Sequence, residues 1–256
     1  MNVFLDRFYP PESMFVFNSS KPIESSLAKL RSMDPVARRS IKLFRGHAPF
    51  VVNEADVDTA RTFTFLRDPV DRVVSFCHHL AEGKGKSHMF STSASEFPEK
   101  DFELNAFLNS GEPELENLQT RMLVGEEDYL SLRQSGSASD LKQALSAAFQ
   151  RIEFVGVQEQ FEDSLLVASL IYKWWPPFTF TKRTNIRSSK VMLIFSDKQL
   201  DLIRRLNTMD TEAHRMASAI FSRCLKHYAG RLALLKIRIR CHKMFNPWRS
   251  RLRNRP

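Results

Sequence analysis

The stretch from residue 63 to residue 76, FTFLRDPVDRVVSF, most constrains how this chain folds. An alternating run rich in Phe and Thr, typical of a β-strand, ends at Leu66, and helical spacing of apolar residues begins just after it. Asp68 is a favoured N-cap residue, and Pro69 is favoured at the first helical position. The stretch therefore predicts a strand that passes directly into a helix over 69–81, with Arg67 at the junction.

Arg67 and Ser75 indicate an anion site at this junction. A helix N-terminus presents free N–H groups and a positive field, and a guanidinium group matches the geometry of a phosphate. Ser75 lies roughly 10 Å further along the helix at 1.5 Å per residue. The spacing leaves a second interpretation open, in which Arg67 pairs with Asp71 and Ser75 binds no ligand.

Strands and helices alternate along most of the sequence. Strands are predicted at 13–18, 42–45, 61–66 and 154–157. Helices are predicted at 23–31, 35–40, 69–81, 104–109, 115–123, 138–149, 161–174, 197–206 and 211–228, the last with an extension to 239. The alternation favours an α/β fold with a mostly parallel sheet flanked by helices. In such sheets ligands bind beyond the carboxyl ends of the strands, where Arg67 and His47 are both predicted to lie.

The composition narrows the classes of protein that fit. The 256 residues are 43% hydrophobic and 26% charged, which is typical of a globular domain. Neither G-x-G-x-x-G nor G-x-x-x-x-G-K-[ST] occurs, and no apolar run reaches the length of a membrane span. The three cysteines are widely spaced and predict neither a metal site nor a disulfide framework. This usage favours a reducing compartment, and we predict a cytoplasmic protein without a metal.

The positive charge is concentrated at the C-terminus. Nine Lys and Arg residues and no acidic residue lie in 231–256: Arg231, Lys236, Arg238, Arg240, Lys243, Arg249, Arg251, Arg253 and Arg255. The formal net charge is +9, so the charges of 1–230 sum to +9 − 9 = 0, which does not predict a nucleic-acid partner. We predict a domain over 1–230 and a basic C-terminal segment over 231–256. Apolar residues among these charges predict a contact with a membrane surface or an acidic glycan, and the alternative is a solvated terminus.

Five blocks of sequence resemble one family. Residues 65–76 resemble the 3′-phosphate-binding motif of sulfotransferases that use 3′-phosphoadenylyl sulfate, in the carbohydrate branch that includes heparan sulfate 2-O-sulfotransferase. That branch also includes many bacterial proteins of sulfotransferase family 2. Four further blocks resemble it and occur along the chain in the same order as in the family. These are 45–50 (G-H-x-x-F), 117–123 (N-x-Q-T-R-x-L), 154–166 (F-V-G-x-x-E-x-F-x-x-S-L-L) and 182–185 (K-R-x-N). The resemblance covers residues 1 to about 228.

The resemblance implies a P-loop-type sulfotransferase fold and transfer of a sulfuryl group to a carbohydrate hydroxyl. It implies that Arg67 and Ser75 bind the 3′-phosphate of the donor, 3′-phosphoadenylyl sulfate. It places His47 at the position of the general base, a role that suits a side chain titrating near neutral pH. Taken alone, His47 fits a loop histidine hydrogen-bonded to backbone better than it fits a catalytic group.

Further residues in the matching blocks are candidates for binding the two substrates. Lys182 and Arg183 follow an aromatic strand pattern and are predicted to reach the phosphates of the donor. Asn117, Gln119 and Arg121 are polar residues in an apolar helix pattern, and with His79 they are predicted to contact the acceptor. Local pairing on the helix surface is the alternative for Asn117 and Arg121, and packing or capping is the alternative for His79.

One hallmark of the family is missing from this sequence. The Pro-Lys-x-Gly-Gly-Thr loop that holds the 5′-phosphosulfate does not occur, and the chain begins with NVFLDRFYPPES, which resembles the helix that follows that loop. The resemblance therefore implies that the first strand and the loop are absent, and that this chain has little or no transferase activity. The alternative is a non-catalytic remnant that binds adenosine 3′,5′-bisphosphate or an acidic glycan.

Overall fold

The computed structural model describes residues 2–17, 23–46, 61–82, 103–175 and 193–245. Its described part has an α/β architecture in which helices predominate. The strands are β1 (Met14–Val16), β2 (Leu43–Arg45), β3 (Phe63–Leu66) and β4 (Phe154–Val157). All four lie at predicted positions, and both pairs that they form, β1 with β2 and β3 with β4, are parallel. Within the described residues they make two separate two-stranded sheets, where the sequence predicts one central sheet.

Eleven helices are present within the described residues. They are α1 (Asn2–Leu5), α2 (Ile23–Arg31), α3 (Pro35–Arg39), α4 (Pro69–Ala81), α5 (Leu104–Leu108), α6 (Leu118–Val124), α7 (Glu126–Gln134), α8 (Ala138–Arg151), α9 (Phe161–Ile171), α10 (Asp197–Leu206) and α11 (Thr208–Phe245). The bounds predicted for α2, α4 and α10 are confirmed. Helix α7 was not predicted, because its surface is almost wholly polar and only Tyr129 is buried.

The β3–β4 pair forms part of the main core. All four residues of β4 are buried, and α9 and α11 pack against this strand. Phe221 of α11 has no exposed surface and meets the ring of Phe154 edge-on, with the ring centroids 6.2 Å apart. Gly156 lies beside Phe65 of β3, where a Cβ atom would come within 2.8 Å of the phenylalanine ring. A glycine at this position thus permits the close packing of β3 on β4.

A second cluster of buried residues fixes α4 in place. Val73 and Cys77 on its inner face pack with Phe107 of α5 and Ile203 of α10. Burial raises the pKa of the Cys77 thiol to about 12, which keeps it protonated near neutral pH. The inner face of α4 is therefore fully used in packing, and its other face is left for the polar side chains.

Helix α11 is 38 residues long and continues through the predicted boundary at 230/231 without interruption. Leu232 and Leu235 belong to the main core, so the basic segment begins within the folded body. Lys236 also ties this part of α11 to α9, with its Nζ 2.5 Å from Oδ1 of Asp163. No helix in the part of the chain that the structure describes is long and apolar enough to cross a membrane.

Candidate anion site at the β3–α4 junction

One side chain forms hydrogen bonds with both the N–H and the carbonyl of Arg67. Gln119 of α6 accepts a hydrogen bond from the Arg67 N–H at 2.8 Å and donates one to the Arg67 carbonyl, also at 2.8 Å. A side-chain amide thus imitates a neighbouring strand for one residue beyond β3. This contact fixes the backbone from which the Arg67 side chain extends.

The next residue, Asp68, is held from a different element. Its N–H donates to Oε1 of Glu159 at 2.7 Å, while its own carboxylate accepts from the Asp71 N–H at 2.9 Å as the N-cap of α4. The expectation of free N–H groups is therefore wrong for Arg67, Asp68 and Asp71, because side chains of the protein already accept from them. These three N–H groups are therefore not available to an anion at this junction.

The Arg67 side chain is half-buried, and its guanidinium has no hydrogen-bonding or ionic partner among the described residues. In particular, Arg67 forms no ion pair with Asp71, which was the alternative interpretation of the sequence. Arg45, by comparison, donates from Nη1 to Asp6 at 2.6 Å, and Arg61 is paired with Glu153. Arg67 thus has a fixed backbone and a planar donor group to which no described residue bonds.

Ser75 and His79 lie one helical turn apart on α4, on the face opposite to the buried Val73 and Cys77. Ser75 is half-buried, and no described residue bonds to its hydroxyl; His79 is exposed. His78, next to it, is buried and contacts the ring of Phe195. The structure therefore groups Ser75 with His79 and directs His78 into the protein.

Asn117 has internal partners for its amide group. Its Oδ1 accepts from the N–H groups of Met209 and Asp210, at 2.9 and 3.1 Å, and its Nδ2 donates to the hydroxyl of Tyr129 at 3.0 Å. The residue is 5% exposed and adopts a left-handed backbone conformation, with φ of 44°. It thus caps the start of α11, and its predicted contact with an acceptor stays a prediction.

Arg121 is likewise engaged within the protein. It is 5% exposed and forms a two-bond ion pair with Glu126, with Nε 2.6 Å from Oε2. Its Nη1 also donates to the carbonyl of Pro113. These contacts join α6 to the start of α7 and to the turn before α6. The acceptor role predicted for Arg121 has no support from its described contacts and also stays a prediction.

A buried polar network connects the two helix starts. Asp210 has no exposed surface and accepts from the N–H groups of Gln119 and Thr120 at 3.1 and 2.7 Å, which caps α6. Because Asn117 caps α11 and Asp210 of α11 caps α6, the two helices cap each other. The sequence did not predict this role for Asp210, since a lone Asp near a helix start shows nothing of a partner 90 residues away.

Arg72 joins α4 to the same network. Its Nη1 donates to the carbonyl of Glu114 at 2.8 Å, its Nη2 donates to Asn207 at 3.2 Å, and its Nε lies 3.9 Å from Oδ2 of Asp210. Burial lowers the pKa of the guanidinium, and the Asp210 carboxylate opposes that shift. Arg67 and Arg72 thus differ: Arg72 is engaged inside the protein, whereas no described residue bonds to the guanidinium of Arg67.

The other predicted site residues lie outside the described residues. These are His47, the predicted general base, and Lys182 and Arg183, the predicted contacts to the donor phosphates. The described structure places Arg67 just beyond β3 and Ser75 and His79 on the outer face of α4, with Asn117 and Arg121 inside the adjoining network. No group of His, Cys, Asp or Glu that could hold a metal ion occurs among the residues searched, which are the described ones.

The chain was compared with protein-family models, with curated proteins and with solved structures. No family model, curated protein or solved structure matches it.

The contacts of Glu159 make the stability of the fold depend on pH. Its partial burial raises the pKa of the carboxyl, but hydrogen bonds from the Asp68 N–H and from His214, whose Nε2 is 3.0 Å from Oε2, outweigh this and lower the pKa below the ordinary 4.5. Since the folded pKa is below the unfolded one, this carboxylate stabilises the fold above pH 4.5, and that contribution is lost as the pH falls through the folded value.

Glu159→Gln is therefore expected to lose stability near pH 7 and to flatten the dependence of unfolding free energy on pH below 4.5. Urea unfolding at pH 7 and at pH 4 checks this. Glu127→Gln is the control, because Glu127 is exposed and bonds to no described side chain. An equal pH dependence for wild type and Glu159→Gln would contradict the assignment.

Proposed function

We propose that this chain is a sulfotransferase-like protein whose β3–α4 junction binds the 3′-phosphate of 3′-phosphoadenylyl sulfate or of adenosine 3′,5′-bisphosphate. The observation that carries the proposal is the guanidinium of Arg67, which has no partner among the described residues and extends from a backbone fixed by Gln119. Because this backbone is already fixed, a two-bond contact between the guanidinium and a phosphate has only the side chain left to order. Ser75, on the outer face of α4, supplies a hydroxyl donor for the same group.

The position of Arg67 in the sheet supports the proposal. Leu66 is paired with Val157 at the carboxyl ends of β3 and β4, so Arg67 is the first residue beyond that edge. Ligands of parallel α/β sheets bind beyond this edge of the sheet. We propose on the same grounds that the α/β architecture is that of a P-loop-type sulfotransferase, which the order of the five sequence blocks also supports.

The proposed reaction is transfer of a sulfuryl group to a carbohydrate hydroxyl. The bond from sulfur to the phosphate oxygen of the donor breaks, a bond from sulfur to the sugar oxygen forms, and the hydroxyl proton passes to His47 as general base. Lys182 and Arg183 would contact the donor phosphates, while His79, Asn117 and Arg121 are the acceptor candidates. The role of His47 comes from the family resemblance, and the other roles come from the polar or charged character of these residues in the matching blocks or, for His79, just after one.

We expect this chain to retain binding of the donor nucleotide better than transfer of the sulfuryl group. The 256 residues contain no Pro-Lys-x-Gly-Gly-Thr sequence. In other enzymes, removal of one hydrogen-bond donor that stabilises the charge developing in the transition state lowers the rate roughly 10²–10³-fold. We therefore propose impaired transfer by this chain. A remnant that binds the bisphosphate without transfer is the second candidate, and it requires only the site at Arg67 and Ser75.

Arg67→Ala is expected to weaken binding of adenosine 3′,5′-bisphosphate by about 100-fold, because charge-assisted bonds to a phosphate contribute about 1.5–3 kcal/mol each. Ser75→Ala, which removes one neutral donor, should weaken binding by about 5–10-fold. Isothermal titration calorimetry measures both, and the melting temperature of either variant should be close to that of wild type.

Two controls separate this site from general attraction of anions. Arg204→Ala removes an exposed arginine of α10 that is paired with Asp201, and it should leave binding unchanged. Adenosine 5′-monophosphate lacks the 3′-phosphate and should bind wild type and Arg67→Ala equally weakly. If Arg67→Ala retained the affinity of wild type for the bisphosphate, the assignment of the site would be wrong. A separate assay for turnover of labelled donor by wild type distinguishes the two candidate functions, an active sulfotransferase and a remnant that only binds the bisphosphate.

A further inference from the structure

The C-terminal half of α11 has an apolar face that is used inside the protein. Leu232 and Leu235 are buried, and Ile239 packs against the same core. The ion pair between Lys236 and Asp163 adds a polar contact next to this face. These contacts hold the helix in a fixed orientation on the body, so the opposite face points away from the body.

The opposite face is apolar as well. Leu234 is 62% exposed and Ile237 is 55% exposed, and Cys241 follows one turn later, also exposed. At 3.6 residues per turn these three positions fall within an arc of about 60°, on the side away from Leu232 and Leu235. We call Leu234, Ile237 and Cys241 the outer stripe.

Arginines lie along both sides of the outer stripe. Arg231 and Arg238 lie on one side and Arg240 on the other, and all three are exposed. Within the described part of the chain none of the three has an acidic partner, and no Asp or Glu occurs anywhere from 231 to 256. An exposed apolar stripe between unpaired cations is the pattern of a helix that lies in the plane of a membrane surface.

We propose that the outer stripe and its flanking arginines bind the protein to the surface of an anionic lipid bilayer, with α11 parallel to the membrane plane. Leu234 and Ile237 would enter the boundary between headgroups and acyl chains, while Arg231, Arg238 and Arg240 meet lipid phosphates and carboxylates. An acidic glycan would match the arginines but would give the two exposed aliphatic side chains nothing to enter. The proposal does not depend on the nucleotide site, which lies on other elements.

Co-sedimentation of the full chain with lipid vesicles tests this proposal. Wild type should partition to vesicles of phosphatidylcholine with about 30% phosphatidylserine and far less to phosphatidylcholine alone. Leu234→Gln with Ile237→Gln should reduce partitioning at least about tenfold, because two aliphatic side chains no longer leave water. Changing Arg231, Arg238 and Arg240 to Gln should reduce it by about fivefold for each arginine.

The control variant is Arg204→Gln with Arg205→Gln, which removes two exposed arginines from α10 and should leave partitioning unchanged. All variants change exposed side chains, so their melting temperatures and their affinity for adenosine 3′,5′-bisphosphate should match wild type. Equal partitioning of wild type to neutral and anionic vesicles would overturn the proposal. The proposal would also be overturned if the Leu234→Gln, Ile237→Gln variant bound vesicles as tightly as wild type. The arginines alone would then account for the binding, as they would for any polyanion, and heparin beads would retain both proteins equally.

Discussion

Replacing Asp210 by alanine is expected to lower the free energy of unfolding by about 3–5 kcal/mol, the range found when one partner of a buried charge pair is removed. Asp210 has no exposed surface, and its carboxylate accepts from the N–H groups of Gln119 and Thr120. The variant leaves both N–H groups without that acceptor. It also leaves the guanidinium of Arg72 without the carboxylate whose charge lies 3.9 Å from its Nε.

Urea unfolding followed by circular dichroism measures the loss. Asp201→Ala is the matched control, because that carboxylate is exposed and, among the described residues, pairs only with Arg204 on the same helix. A cost of about 0.5 kcal/mol or less is therefore expected. A second variant, Arg72→Met in the Asp210→Ala background, removes the uncompensated charge and should recover part of the loss. A cost for Asp210→Ala no larger than that of Asp201→Ala would refute the account of this network.

The elements that the sequence predicted best are those whose signals are local. Asp68 and Pro69 define the start of α4, and the observed bond from the Asp71 N–H to the Asp68 carboxylate confirms the predicted cap. Helix α10 begins at a capping box in which Ser196 and Gln199 bond to each other's backbone, so its start was equally readable. Such signals lie within four residues of one another, and tertiary contacts are not needed to interpret them.

The start of α6 was predicted less well, because it depends on distant residues. The pattern predicted a helix from residue 115, whereas Pro113–Leu115 forms a 3₁₀ turn and α6 begins at Leu118. Asn117 separates the two with a positive φ that its bonds to Met209 and Asp210 stabilise. Nothing near Asn117 in the sequence shows those partners.

Dependence on distant residues also limited how much of the candidate site could be predicted from the sequence. The residue types at Arg67 and Ser75 indicate an anion site, and the structure adds that Gln119 and Glu159 hold the junction by its backbone. These two contacts could not be predicted from the sequence, since a glutamine or glutamate near a helix start has many possible partners. Polar character alone suggested that Asn117 bordered a ligand pocket, whereas its amide is engaged in a helix cap.

Phe221→Ala is expected to lower the free energy of unfolding by about 3–5 kcal/mol, the cost of removing a buried phenylalanine ring from a packed core. Phe221 has no exposed surface and lies edge-on to Phe154 of β4. Ala213 and Ala217, which precede it by two turns and one turn on α11, are also fully buried. Their small size lets the helix backbone approach the core, and Phe221 is the large side chain that fills the space beyond them.

Phe221→Leu provides the graded comparison, since it keeps much of the apolar volume and should cost well under half as much. Leu232→Ala tests the far end of α11, where the side chain is 7% exposed, and a smaller loss of about 2–3 kcal/mol is expected there. If Leu232→Ala cost nothing while Phe221→Ala cost the full amount, the folded body would end before residue 232. The outer stripe would then lack the fixed orientation that its proposed contact with a membrane requires.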